Sequence, residues 1–327
     1  MISKLRFRII LLLCFALLNT CFCIITAGAE THISKRIAEL GESYMGIDID
    51  MPTDSPSIVP QMKLERIRFD KTKTKEIIKR YSVIPQRGEE WVCEIGSKLN
   101  PDYELRFREE NGVYGTIADS LSIPRTPLDE KDKEQCIADA TVRAFLDELG
   151  IHYEYPFYYV APLEKKAGGP SLIEIVARLT IDGIPFNTTI GWTRDSDGSG
   201  NGDPTPGAFF IVTDNGELTT AIIRNPVSLI KAKDDQTPIK NWNDVLEENK
   251  DVIMNARCTG EDAGTILTLK QVEFVMMVDA HQIAYPAWAY YFWVDHPANS
   301  HNPEPYSYYL LLTYNARNGR EVWRCVN

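Results

Sequence analysis

The feature that most constrains this chain is how its strand-like segments arrive, in pairs joined by short turns rich in Asn, Asp and Gly. Asn111-Gly112, Asp214-Asn215-Gly216 and Asn318-Gly319 each divide two such segments. These residues accept the positive φ that a tight hairpin demands. Antiparallel neighbours follow, because a parallel pair needs a long crossover, usually helical. The chain therefore reads as α+β, antiparallel meanders with helices packed on one face, and not as a doubly wound nucleotide-binding fold.

Residues 62–69 and 103–108 alternate apolar and polar side chains, as half-buried strands do. Between them, 72–81 reads as a short helix with Ile77 and Ile78 inward, while 33–40 also has helical spacing. A further helix carries Ile137, Ala140, Ala144, Phe145 and Leu149 and closes at Gly150. Another runs over 242–253 behind Asn241 as N-cap. Strands are expected over 153–161, 172–181, 209–213, 217–223, 265–278, 288–294, 306–314 and 320–325. The chain then divides into a leader (1–29), a β-α-β-β domain (30–125) and an α+β region (126–327). Within the last, 130–225 and 240–325 suggest one repeated helix-plus-meander plan.

The leader has the grammar of an export signal. Lys4, Arg6 and Arg8 precede an apolar run over 9–25, and Ala27-Gly28-Ala29 offers a cleavage site after Ala29. An uncleaved anchor and a lipoprotein box at Leu18-Asn19-Thr20-Cys21 are the alternatives. A secreted or extracytoplasmic protein is expected, either free or membrane-anchored through its N-terminus. Without 1–29 the chain keeps 32 Lys+Arg against 46 Asp+Glu, a net charge of −14. That charge opposes binding to nucleic acid or to anionic lipid, N-terminal anchor aside. The acidic excess reads as spread along the chain.

Outside the leader stand Cys93, Cys136, Cys258 and Cys325, too widely spaced for a CxxC metal or redox motif. Four cysteines in an oxidising compartment allow three pairings. A bridge between Cys258 and Cys325 is expected, because both lie at strand ends of the last unit. Oxygen ligands in EF-hand order occur at Asp195, Asp197, Ser199 and Asp203, with Gly200 at the sixth position, so this loop is a weak Ca²⁺ candidate. Pro206 stands where the bidentate Glu belongs, and a solvated glycine-rich loop explains the same residues. Residues 295–304 hold two histidines, His296 and His301, with Asp295 and Glu304, a loose set for zinc. The aromatic run 288–293 reads first as a covered central strand, and otherwise as an exposed platform. No GxSxG, HExxH, GxxxxGK[ST] or GxGxxG motif occurs.

Two stretches carry a family resemblance. The first is Ala144-Phe145-Leu146-Asp147-Glu148-Leu149-Gly150 followed by Ile181-Asp182-Gly183-Ile184-Pro185-Phe186. The second is Tyr285-Pro286-Ala287-Trp288 followed by Tyr314-Asn315-Ala316-Arg317-Asn318-Gly319-Arg320-Glu321-Val322. They resemble the turns and strand edges of secreted YycH/YycI-like and PepSY-like proteins of Gram-positive type, with Asn315 where that pattern has Asp. The resemblance covers roughly 130–325. It implies a PepSY/YycI-like fold, no catalytic centre, and regulation through contact with an envelope or membrane protein. An extracellular hydrolase acting on glycan or peptide is the alternative.

Overall fold

A computed structural model describes residues 32–50, 58–82, 91–96, 102–109, 128–129, 131–151, 160–163, 171–177, 180–181, 184–187, 206–233, 237–279, 281–300 and 302–326. β1 (His32–Leu40) and β2 (Ser43–Asp50) come first, then β3 (Gln61–Arg66), α1 (Lys71–Tyr81), β4 (Trp91–Ile95), β5 (Glu104–Glu109) and α2 (Lys133–Glu148). β6 (Val160–Leu163), β7 (Leu172–Ala177), β8 (Thr180–Ile181), β9 (Ile184–Pro185), β10 (Gly207–Thr213), β11 (Leu218–Arg224) and β12 (Val227–Lys233) lead to α3 (Trp242–Arg257). β13 (Ile266–Val278), β14 (Ile283–His296), β15 (Tyr306–Asn315) and β16 (Glu321–Val326) follow.

Two large sheets result. The eight-stranded sheet runs β1-β2-β13-β14-β15-β16, with β3 paired to β14 and β12 paired to β3. The six-stranded sheet runs β4-β5-β11-β10-β7-β6. Of the described pairings inside these two sheets, β2 with β13 is parallel. Mixed α and β structure with mostly antiparallel sheet is thus what the hairpin chemistry predicts. The turns behave accordingly: Gly216 has φ +84° and Gly319 has φ +71°.

Helices cover one face of each sheet. α3, capped by Asn241 whose side chain accepts from the Asn243 N–H at 2.9 Å, buries Trp242, Val245, Leu246, Ile253 and Met254. These meet Trp288, Tyr290, Phe292, Leu310 and Leu312 of the large sheet. The N–H of the Trp288 indole donates to Lys240 O at 2.9 Å and the Tyr290 hydroxyl donates to Trp242 O at 2.8 Å, so each buried polar tip is satisfied. α1 and α2 pack on the six-stranded sheet, where Ile77, Ile78, Val142, Phe145 and Leu146 meet Leu105, Ile175, Phe210 and Ile223. The inner face of α2 is Ala138, Val142, Phe145 and Leu146, so of the five residues expected there only Phe145 is among its buried ones.

Three expectations need correction. The segment 33–40 is strand β1, paired antiparallel with β2 and bulged between Arg36 and Ala38. The bulge brings Ile33, Ile37, Ala38 and Leu40 alike against the α3 core, which is why their spacing imitates a helix. Residues 30–125 form no separate domain: β1, β2 and β3 join the large sheet, whereas β4 and β5 join the six-stranded one. The two helix-plus-meander units each have four meander strands, β6-β7-β10-β11 and β13-β14-β15-β16, and receive their N-terminal hairpins differently. β5 pairs with β11, the last strand of its meander, and β2 pairs with β13, the first strand of the other. Finally, Cys258 is a free thiol. It sits beside β2 and β13, near Ser43 and Thr265, while Cys325 lies on β16 opposite Leu311. β16 is three strand positions from β13, which places it about 14 Å away at the usual strand spacing, against the 7 Å limit of a disulfide.

Candidate functional site

The charge of the chain is less even than its total implies. Residues 61–80 carry eight basic and three acidic side chains, within a protein of net charge −11. β3 occupies the start of that stretch, and β12 lies along it in antiparallel register, with Ser228 opposite Glu65, Leu229 opposite Leu64 and Lys231 opposite Lys63. The register slips between Leu229 and Lys231, so Ile230 is the extra residue of a bulge. Leu229 is 45% and Ile230 54% exposed, two of the five large apolar side chains that face solvent among the described residues. Among the described residues β12 pairs only with β3, so its other side is an edge.

The edge exists because the chain changes sheets here. β11 ends at Arg224 in the six-stranded sheet. Asn225 then takes φ +45°, a conformation Asn tolerates better than most residues. Its N–H donates to Tyr103 O at 2.9 Å, and Ile67 N–H donates to Pro226 O at 2.7 Å, which stitches the crossing to the outgoing end of β3. Two guanidinium groups flank Tyr103 at this junction. Arg66 lies 5.2 Å and Arg68 5.6 Å from the ring centroid, and Arg68 Nε donates to the Tyr103 hydroxyl oxygen at 3.0 Å. Gln282, its side-chain oxygen turned toward Arg66, accepts from Nε and Nη2 at 3.2 Å each. No carboxylate forms an ion pair with Lys63, Arg66, Arg68 or Lys231 among the described residues. The buried acid next to Tyr103 in the chain, Glu104, is engaged by Arg106 at 2.6 Å and Arg224 at 3.2 Å.

With this geometry in view, the fold has a known counterpart. The chain is similar to the crystal structure of an uncharacterized protein from Eubacterium rectale ATCC 33656. The TM-score is 0.57 at 12% identity, over 90% of this chain and 95% of that one. At that identity the likeness concerns the fold alone. No protein-family model matches the chain, and no curated protein does.

The second cluster of chemical side chains lies at the far end of β14. His296 is buried, with Nε2 2.7 Å from Asp262 Oδ1 and Nδ1 2.8 Å from Pro297 O, and its ring stacks on Tyr306 at 4.8 Å. Both ring nitrogens face acceptors within the fold, so neither is left to activate a nucleophile. The neighbouring Cys258 thiol is held against Met254 Sδ at 3.8 Å, and burial pushes its pKa up, away from the reactive thiolate. These residues pin the loop after β14 to the turn after α3. They do not assemble a catalytic dyad.

Of the residues singled out from sequence, Asp195, Asp197, Ser199, Asp203 and Ala29 lie outside the described residues, as does His301. No group of three or more His, Cys, Asp or Glu side chains suited to a metal forms among those described. The aromatic run is a covered central strand: Trp288, Tyr290, Tyr291 and Phe292 are all at most 1% exposed between β13 and β15. Sequence reasoning passed over β12 itself. The signal that could have found it was the short basic run Lys231-Ala232-Lys233 after Leu229-Ile230, together with the eight basic residues of 61–80.

Proposed function

We propose that the protein is a secreted, non-catalytic binding module that acts at the cell envelope through protein–protein contact, and that β12 is its contact edge. Kinship with YycH/YycI-like and PepSY-like extracytoplasmic proteins, and an envelope or membrane protein as partner, belong to the same reading. The observation that carries it is the exposed edge of β12, where Leu229 and Ile230 face solvent beside backbone groups with no strand partner among the described residues. An edge of this kind accepts a further strand: main-chain hydrogen bonds supply affinity and the neighbouring side chains supply selectivity. The other path ends of the sheet differ. β1 turns its apolar residues inward onto α3, and its exposed positions are polar or charged, as at Lys35, Arg36 and Glu39.

The test is site-specific photocrosslinking in the native envelope, with the probe at Ile230 or, as a control, at Val252, which is 63% exposed on α3. A discrete envelope polypeptide captured from position 230 and not from 252 is the expected outcome. Equal capture from both positions, or none from either, defeats the assignment of β12. N-terminal sequencing of the exported protein checks the compartment, with Glu30 expected as the first residue.

A further inference from the structure

The charge around β12 narrows what can dock there. Alternate backbone N–H and C=O groups of an edge strand point away from its one partner and remain open to another chain. Beside that open side, Lys231 stands opposite Lys63 on adjacent strands, and both are exposed. Like charges opposite each other are unfavourable in a sheet, and no carboxylate of the described residues forms an ion pair with either lysine. On the same face of β3 the next residue is the exposed Glu65, opposite Ser228, while Arg66 at the end of the strand falls on the alternate face and lies with Arg68 at Tyr103.

A second copy of the chain would bring the same lysines to the same edge and add to the repulsion. An anionic lipid surface would satisfy the lysines but leave the open backbone groups unread, and it would meet a protein of net charge −11. Building on the binding role argued above, we infer that β12 takes up an acidic, extended segment of its partner polypeptide as an added strand. Carboxylates of that segment lie against Lys231 and Lys63. The exposed Leu229 and Ile230 contact the small or apolar residues that alternate with them.

The probe is a fluorescein-labelled ten-residue peptide of alternating valine and glutamate, compared with versions carrying glutamine or lysine in place of glutamate. Binding to the purified protein is read by anisotropy. The glutamate peptide is expected to bind at least tenfold tighter than the glutamine peptide, and the lysine peptide not to bind. The double variant Lys63→Glu/Lys231→Glu, melting at the wild-type temperature, is expected to lose about tenfold or more in affinity, as is the wild type in 0.5 M salt. Lys35→Glu on β1 should change nothing.

Equal affinity for the glutamate and glutamine peptides, or for wild type and the double variant, overturns the acidic partner. If crosslinks from Ile230 persist in that case, the docking edge itself stands. Loss of those crosslinks as well removes the binding role. Two further results overturn the inference: co-sedimentation with phosphatidylglycerol vesicles without peptide binding, which assigns the lysine pair to lipid, and Lys231-dependent self-association in sedimentation equilibrium, which assigns the edge to a second copy.

Discussion

β14 and β12 belong to one eight-stranded sheet, and each sets apolar residues side by side, yet their surroundings are opposite. β14 is flanked by β13 and β15, with α3 on one face, so Trp288, Tyr290 and Phe292 vanish into the core while Ala287, Ala289 and Tyr291 are buried on the other face. β12 has one strand neighbour among the described residues, and five consecutive residues from Ser228 to Ala232 face solvent. Position in the sheet, and not apolar content, separates a strand that holds the fold together from one free to meet a partner.

The comparison is most sharply tested by truncating each strand. Trp288→Ala should destabilise the protein by about 3–5 kcal/mol, the range for a buried aromatic with its cavity, measured by urea unfolding. A loss under 1 kcal/mol would mean that β14 does not carry the core. Next comes the ion cluster at the junction that launches β12. Glu104→Ala leaves the Arg106 and Arg224 guanidiniums, which are 22% and 16% exposed, without their shared carboxylate. A loss of about 3 kcal/mol is expected, as for breaking a buried pair, and it should shrink when Arg224→Met is added.

The sheet crossing at Asn225 offers a smaller effect. Asn225→Val places a β-branched residue at φ +45° and removes a buried side chain, so stability should fall by roughly 1–2 kcal/mol. Asn225→Gly should fall by less, because glycine adopts that φ freely. If the two variants unfold alike, the backbone conformation is not what the position requires.

Two tests address groups with little effect on global stability. Burial raises the Cys258 thiol, so iodoacetamide should label it only after unfolding, and the native mass should be unchanged by reduction. At the β1 edge, hydrogen bonds that the His32 ring donates to the Asp50 and Asp48 carboxylates raise the His32 pKa. A raised folded-state pKa means the interaction is complete below the unfolded value, about 6.5, and is lost as pH rises through the folded value. An NMR titration should therefore place His32 above 6.5 in wild type and lower in Asp50→Asn. The smallest effect closes the comparison: Ile230→Ser should alter stability by no more than about 0.5 kcal/mol, as for an exposed site, while abolishing partner capture.

What the sequence alone determined is the local chemistry. Hairpin turns at Gly216 and Gly319, the Asn241 cap, the helix over 72–81 and the covered aromatic strand all follow from interactions within a few residues, and each stands in the structure. Tertiary structure decided what depends on partners far along the chain. The segment 33–40 became a strand because β2 offers a complete ladder and a bulge turns its apolar residues onto α3. Cys258 stayed unpaired because β14 and β15 stand between its neighbourhood and β16. The lysine pair is the clearest case. Lys63 and Lys231 are 168 positions apart in the chain, and only the pairing of β3 with β12 puts them opposite each other, both exposed, beside the open edge of β12. Charge acts through space, so a linear reading that sums it over the chain sees an acidic protein and misses a pair of facing lysines.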